Sequence, residues 1–152
     1  MSDHNSSTGE YVTATLGDEL IGLPILRVQD VFVPEGVTPV PLAPPEIAGV
    51  LNLRGRIVTL IDLRCRLGMP QRPAGQPSMA IGVESRGESY GLLIDSIGEV
   101  FSLDPAEREP NPLNLDPRLA GVSMGIHRLQ ERLLMVVDID RALDVGAGAI
   151  AA

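Results

Sequence analysis

The chain has 152 residues, with 12 basic against 20 acidic side chains, a net charge of -8, and a composition 44% hydrophobic and 21% charged. That length suits one domain or two small lobes on a common core, and the composition is globular rather than disordered. Every basic residue is arginine, so no phosphate-binding Gly-Lys loop is possible, and the acidic balance disfavours nucleic acid and anionic membrane surfaces as partners.

In chain order, residues 1–9 are polar and read as a tail, without the basic start and apolar block of a signal peptide. Tyr11–Leu16 and Glu19–Pro24 form a predicted hairpin turning at Gly17-Asp18. Gly49–Leu67 (GVLNLRGRIVTLIDLRCRL) contains two apolar runs around Asn52-Leu53-Arg54-Gly55. Gly55 permits a tight reversal and Asn52 tolerates unusual backbone angles, which places Arg54 at a hairpin tip or lobe boundary. The near-continuous apolar run before Asp62 predicts a buried strand. Asp62 then caps a short helix through Leu63 and Leu67, ending at Gly68. Residues 70–78 are rich in Pro and Gly and read as a connector. A second hairpin is predicted from Met79–Glu84 and Ser89–Ile94, and an irregular stretch from Asp104 to Arg118. Asp138, Ile139 and Leu143 repeat the capped-helix pattern, and residues 146–152 read as a second tail.

An internal repeat organises these pieces. Leu20–Phe32 aligns with Ser89–Phe101 at an offset that sets Gly22 on Gly91, Ile25 on Ile94 and Phe32 on Phe101. Gly49–Leu67 aligns with Gly125–Leu143, setting Leu53 on Leu129, Arg56 on Arg132 and Asp62 on Asp138. Two ordered blocks with matched Gly and Asp positions predict two similar β lobes, approximately 10–69 and 79–145, with strands open to exchange between them. Closure into small barrels would remove exposed sheet edges.

Little in the sequence points to catalysis. Cys65 is the single cysteine, has no partnered His nearby, and reads as an idle or buried thiol. His4 lies in the tail and His127 in a strand-like segment, where a structural role is favoured. No His/Cys spacing suggests a metal, and no run is long enough to span a membrane. Ser123 formally satisfies a Gly-x-Ser-x-Gly pattern, but His127 follows too closely to be its usual base. Arg54 has two compatible readings: it pairs with a carboxylate such as Asp30, and it anchors a partner.

Gly49–Arg64 resembles the signature of the CheW family of bacterial chemotaxis coupling proteins. Thr15–Glu19, Ile25–Val31, Tyr90–Asp95, Val100–Leu103 and Leu133–Leu143 resemble its other regions, so the likeness spans nearly the whole chain. Thr59 stands where the family usually has Pro, Leu20-Ile21 replace a common aromatic position, and Asp30 stands for the usual Glu. The resemblance implies a mostly β fold: two SH3-like barrel lobes around a shared aliphatic core, with short helices after Asp62 and Asp138. It implies a cytoplasmic, non-enzymatic adaptor without cofactors, recruited to receptor arrays. Its implied partners are the regulatory domain of a CheA-type histidine kinase and the cytoplasmic tip of methyl-accepting chemoreceptors, bound through two docking surfaces. Carried over by position, the implied partner-binding residues are Val28, Asp30, Gly49, Asn52, Leu53, Arg54, Gly55, Gly91 and Val100. Two other classes compete: a small-ligand-binding or regulatory β module unconnected to kinases, and a minor hydrolase using Ser123.

Overall fold

A computed structural model describes residues 9–145 of the chain. The strands are β1 (Gly9–Leu16), β2 (Glu19–Pro24), β3 (Val28–Phe32), β4 (Ile47–Leu53), β5 (Arg56–Asp62), β6 (Met79–Ser85), β7 (Glu88–Ile94), β8 (Ser96–Leu103), β9 (Ser123–Arg128) and β10 (Leu133–Val137). Three one-turn helices accompany them: α1 (Leu63–Arg66), α2 (Pro117–Ala120) and α3 (Ile139–Ala142). β1 begins at Gly9, the last residue of the anticipated N-terminal tail. The anticipated tail at 146–152 lies outside the described residues.

Both predicted hairpins form, and so do both capped helices. Asp62 accepts from the Arg64 N–H and Asp138 from the Arg141 N–H, which satisfies a helical N–H that otherwise lacks a partner. The strands build two five-stranded sheets, ordered β8-β1-β2-β10-β9 and β3-β6-β7-β5-β4. Each sheet therefore draws on both sequence halves. The first hairpin pairs with the end of the chain, and the β6–β7 hairpin pairs with β3 on one side and β5 on the other.

The two sheets follow one plan. In the first, parallel pairing sets Leu20, Ile21 and Gly22 against Leu134, Met135 and Val136. In the second, it sets Ser89, Tyr90 and Gly91 against Val58, Thr59 and Leu60. The sequence offsets convert one register into the other. Isolated bridges repeat the correspondence: Thr38 pairs with Val50, and Glu109 with Ile126. Thr38 follows β3 at one end of its sheet and bonds to β4 at the other, curling that sheet into a small barrel; Glu109 does the same after β8.

Burial follows from the alternation of strand side chains. A central aliphatic cluster joins Leu16, Ile21 and Leu23 of one sheet to Ile61, Ile81 and Leu92 of the other, with Leu63 and Ile139 from the helices. Each barrel also has a private cluster. Leu51, Val58 and Leu60 pack with Phe32 and Leu53 in one; Tyr11, Leu134 and Val136 pack with Phe101 and Leu129 in the other.

Candidate functional site

The β4–β5 hairpin turns at Arg54-Gly55, both with positive φ, 53° and 83°. Two successive residues in that region make a tight reversal that suits strand twist, and glycine tolerates the second position at little cost. Asn52, read from the sequence as tolerant of unusual backbone angles, does not use that tolerance; the left-handed residues are Arg54 and Gly55. Asn52 contributes its side chain instead, its Oδ1 accepting from the Gly55 N–H at 2.8 Å.

The tip is tied to β3 by an ion pair: Arg54 Nη2 lies 2.6 Å from Asp30 Oδ2. The guanidinium side chain stays 72% exposed and the carboxylate side chain 34% exposed, so the pair is a surface latch with donors left over. Asp30 follows a bulge after Val28 and lies opposite Gly82 on β6, where any side chain would collide with its carboxylate. Beneath the pair runs a groove of about 490 Å³ walled by Phe32, Leu53, Val58, Arg56 and Tyr90. Burial, with a smaller effect of Glu88, pushes the Tyr90 phenol pKa up, so its hydroxyl remains a neutral donor. The groove joins apolar residues to a charged rim, a mix found at protein–protein interfaces.

Of the residues singled out from the sequence, Asp30, Leu53 and Arg54 line this groove, and Asn52 and Gly55 shape its tip. Gly91 lies below it on β7. A Cβ there would stand 2.8 Å from Leu60 Cδ2 and 3.2 Å from Phe32 Cζ. Gly91 belongs to the sheet with β3–β5, not to the lobe its sequence position suggested. Val28 is half-buried against the central core beside Val83. Gly49 backs onto the Thr38 carbonyl, 2.5 Å from where a Cβ would sit. Val100 stands apart, half exposed on β8 opposite Val12 in the other sheet. Gln29, Arg56, Gly82 and Tyr90 were missed. The period-2 alternation of β3, which sets Asp30 and Phe32 on one face, was the signal available for this wall.

A second polar centre was also missed. Asp95, between β7 and β8, accepts from Arg64 Nη2 at 2.5 Å, Arg72 Nε at 2.8 Å and the Gly17 N–H at 2.7 Å. Arg64 also donates to the Pro70 carbonyl at 3.0 Å. Burial alone would raise the Asp95 pKa, but the bonds from Arg64, Gly17 and Arg72 outweigh it and hold the carboxyl far below the usual range. The cluster ties α1, the connector and the β1–β2 turn together where the sheets meet.

The remaining reactive candidates are built into the fold. Ser123 Oγ donates to Asn111 Oδ1 at 2.6 Å at the start of β9, not at a strand-to-helix elbow. Cys65 is half-buried in α1, and burial raises its thiol pKa.

The chain matches the CheW-like domain family over residues 10–146. It is 32% identical over 134 residues to the chemotaxis protein CheW of Klebsiella aerogenes, covering 88% of this chain and 81% of that one. It is 26% identical over 141 residues to the Helicobacter pylori chemotaxis protein CheW, covering 93% and 85%. The crystal structure of the scaffolding protein TtCheW from Thermoanaerobacter tengcongensis superposes with a TM-score of 0.81 at 30% identity, covering 93% of this chain and 97% of that one.

Proposed function

The chain belongs to the CheW-like family, and from that premise we propose that it is a chemotaxis adaptor, coupling the cytoplasmic tips of chemoreceptors to a CheA-type histidine kinase. Scaffolding asks for surfaces rather than reactive groups. An adaptor links two equilibria by holding both partners at once, with a coupling free energy shared between the two sites. Two barrels on one continuous core offer two rigid faces for that task.

The observation that carries the reading is the Arg54 tip held by Asp30 over the groove of β3–β7. The latch presents a planar guanidinium with free donors beside Phe32 and Leu53, the mix of arginine and apolar surface that concentrates binding energy at interfaces. Val28, Asp30, Gly49, Asn52, Leu53, Arg54, Gly55 and Gly91 form or support this face. Val100 marks a separate face on the other barrel. Receptor tips are helical hairpins, which suit a groove with a polar rim, and modest single contacts gain strength from array avidity. No helix among the described residues is long and apolar enough to cross a membrane; the proposed route to the membrane is recruitment by receptors.

Calorimetric titration with a purified CheA-type regulatory domain tests the reading. Saturable binding in the micromolar range is the expected result. Absence of heat and of co-elution at high concentration would defeat it.

A further inference from the structure

The offsets that relate the two sheets also relate two grooves. A second groove, of about 700 Å³, opens on the other barrel. Glu99 stands where Asp30 does in the first, Phe101 where Phe32 does, Leu129 where Leu53 does, and Arg132 where Arg56 does. Beneath each lies the private apolar cluster of its barrel. The correspondence breaks at the hairpin tip, where Glu131 replaces Gly55, and at Thr13 in the place of Gly82; the break that changes the charge most is at Arg54. Gln130 occupies the place of Arg54.

That exchange changes the groove's chemistry. In the first barrel the acid is neutralised from within, by Arg54 at 2.6 Å. In the second, the two arginines at the rim are engaged elsewhere. Arg128 Nε pairs with Glu109 at 2.8 Å, and Arg132 Nη2 donates to the Asp18 carbonyl at 3.1 Å. Thr13, in the place of Gly82, donates its hydroxyl to the Glu99 backbone carbonyl at 2.7 Å and leaves the carboxylate untouched. Among the described residues the Glu99 carboxylate has no cationic partner.

We infer that the second groove docks an arginine-bearing segment of a partner protein. The guanidinium takes the place left by the missing arginine and meets Glu99, while a neighbouring aliphatic side chain covers Phe101 and Leu129. Charge complementarity supports a basic occupant, since a net charge of -8 draws cationic segments toward the protein. The inference rests on the correspondence of the grooves and does not depend on the receptor–kinase reading.

The test is a ¹⁵N-resolved NMR titration of the full chain with the capped peptide Ser-Ala-Leu-Arg-Ala-Ser, and with the same peptide carrying Gln for Arg. Saturating amide shifts at Thr13, Glu99, Phe101 and Leu129 are expected, with the Gln peptide weaker by about tenfold, the loss of one charge-assisted contact. Glu99→Gln, an exposed change that leaves the fold intact, should weaken the Arg peptide equally. Gln130→Arg, which supplies the guanidinium internally, should do the same. Equal response to both peptides, or shifts confined to Asp30, Leu53 and Gly82, would overturn the inference. So would a concentration-dependent dimer that Glu99→Gln dissolves, since that hands the groove to a second copy.

Discussion

Arg64 and Asp95 form a buried ion pair, with side chains 8% and 9% exposed, at the seam where the two sheets meet. Arg27 and Asp140 form an ion pair near the opposite seam, with side chains 34% and 60% exposed. Each arginine grips its aspartate through two nitrogens, and the pairs differ in desolvation. Removing one partner of a buried pair strands the other charge, whereas an exposed pair loses little. Asp95→Asn is therefore expected to cost on the order of 3–5 kcal/mol, and Asp140→Asn less than about 1 kcal/mol. Urea unfolding of both variants checks the ranking.

The same pair sets the acid response. The folded pKa of Asp95 lies below its unfolded value, so its contribution is fully present above the unfolded value of about 4. That contribution is lost as pH falls below 4 toward the folded pKa. Asp95→Asn should lower the curve by that cost near neutrality, where its slope stays the same, and flatten it in the acid window.

His127 predicts a separate slope at higher pH. It is buried at 3% exposure on β9, its Nε2 has no hydrogen-bond partner, and its ring lies 6.3 Å from that of Tyr11. Burial first and then Arg108 lower its pKa, against raising effects from Glu107, Asp104 and Glu109. The unfolded state thus binds the proton more readily. Stability is full above the unfolded value of about 6.5 and declines as pH falls from there toward the folded pKa. His127→Phe should remove the decline below about pH 6.5, measured by urea titration at a series of pH values.

Gly91→Leu should destabilise the β3–β7 barrel. Even a Cβ meets Leu60 and Phe32, and overpacking a fitted core costs roughly 1–3 kcal/mol. Because Gly91 lies below the Arg54 groove, the variant should lose affinity for partners of that face while the other barrel keeps its amide spectrum. An unchanged melting temperature would count against this placement.

Local features were legible in the sequence. Gly17-Asp18 between two apolar runs gave the first hairpin, and Asp62 and Asp138 announced their helices because an N-cap acts within a few residues. The Arg54–Asp30 pair was within reach, since a hairpin-tip arginine and a strand carboxylate were both visible. The makeup of each lobe was not. It depends on parallel pairing of Leu20 with Leu134 and of Ser89 with Val58, contacts that local periodicity does not encode. Gly91 was therefore assigned to the wrong barrel. Asp95 was invisible for a related reason: an isolated acid after an apolar strand reads as a surface turn until Arg64 and Arg72 are brought to it.

Receptor-stimulated phosphorylation by a reconstituted CheA-type kinase, with wild-type chain and with Arg54→Ala, tests the central claim most directly. Arg54 is exposed, so the variant should unfold within about 1 kcal/mol of wild type. The wild type should restore receptor control of the kinase and Arg54→Ala should abolish it. A wild-type chain that leaves kinase activity indifferent to receptor, or a stably folded Arg54→Ala that couples fully, would contradict the account.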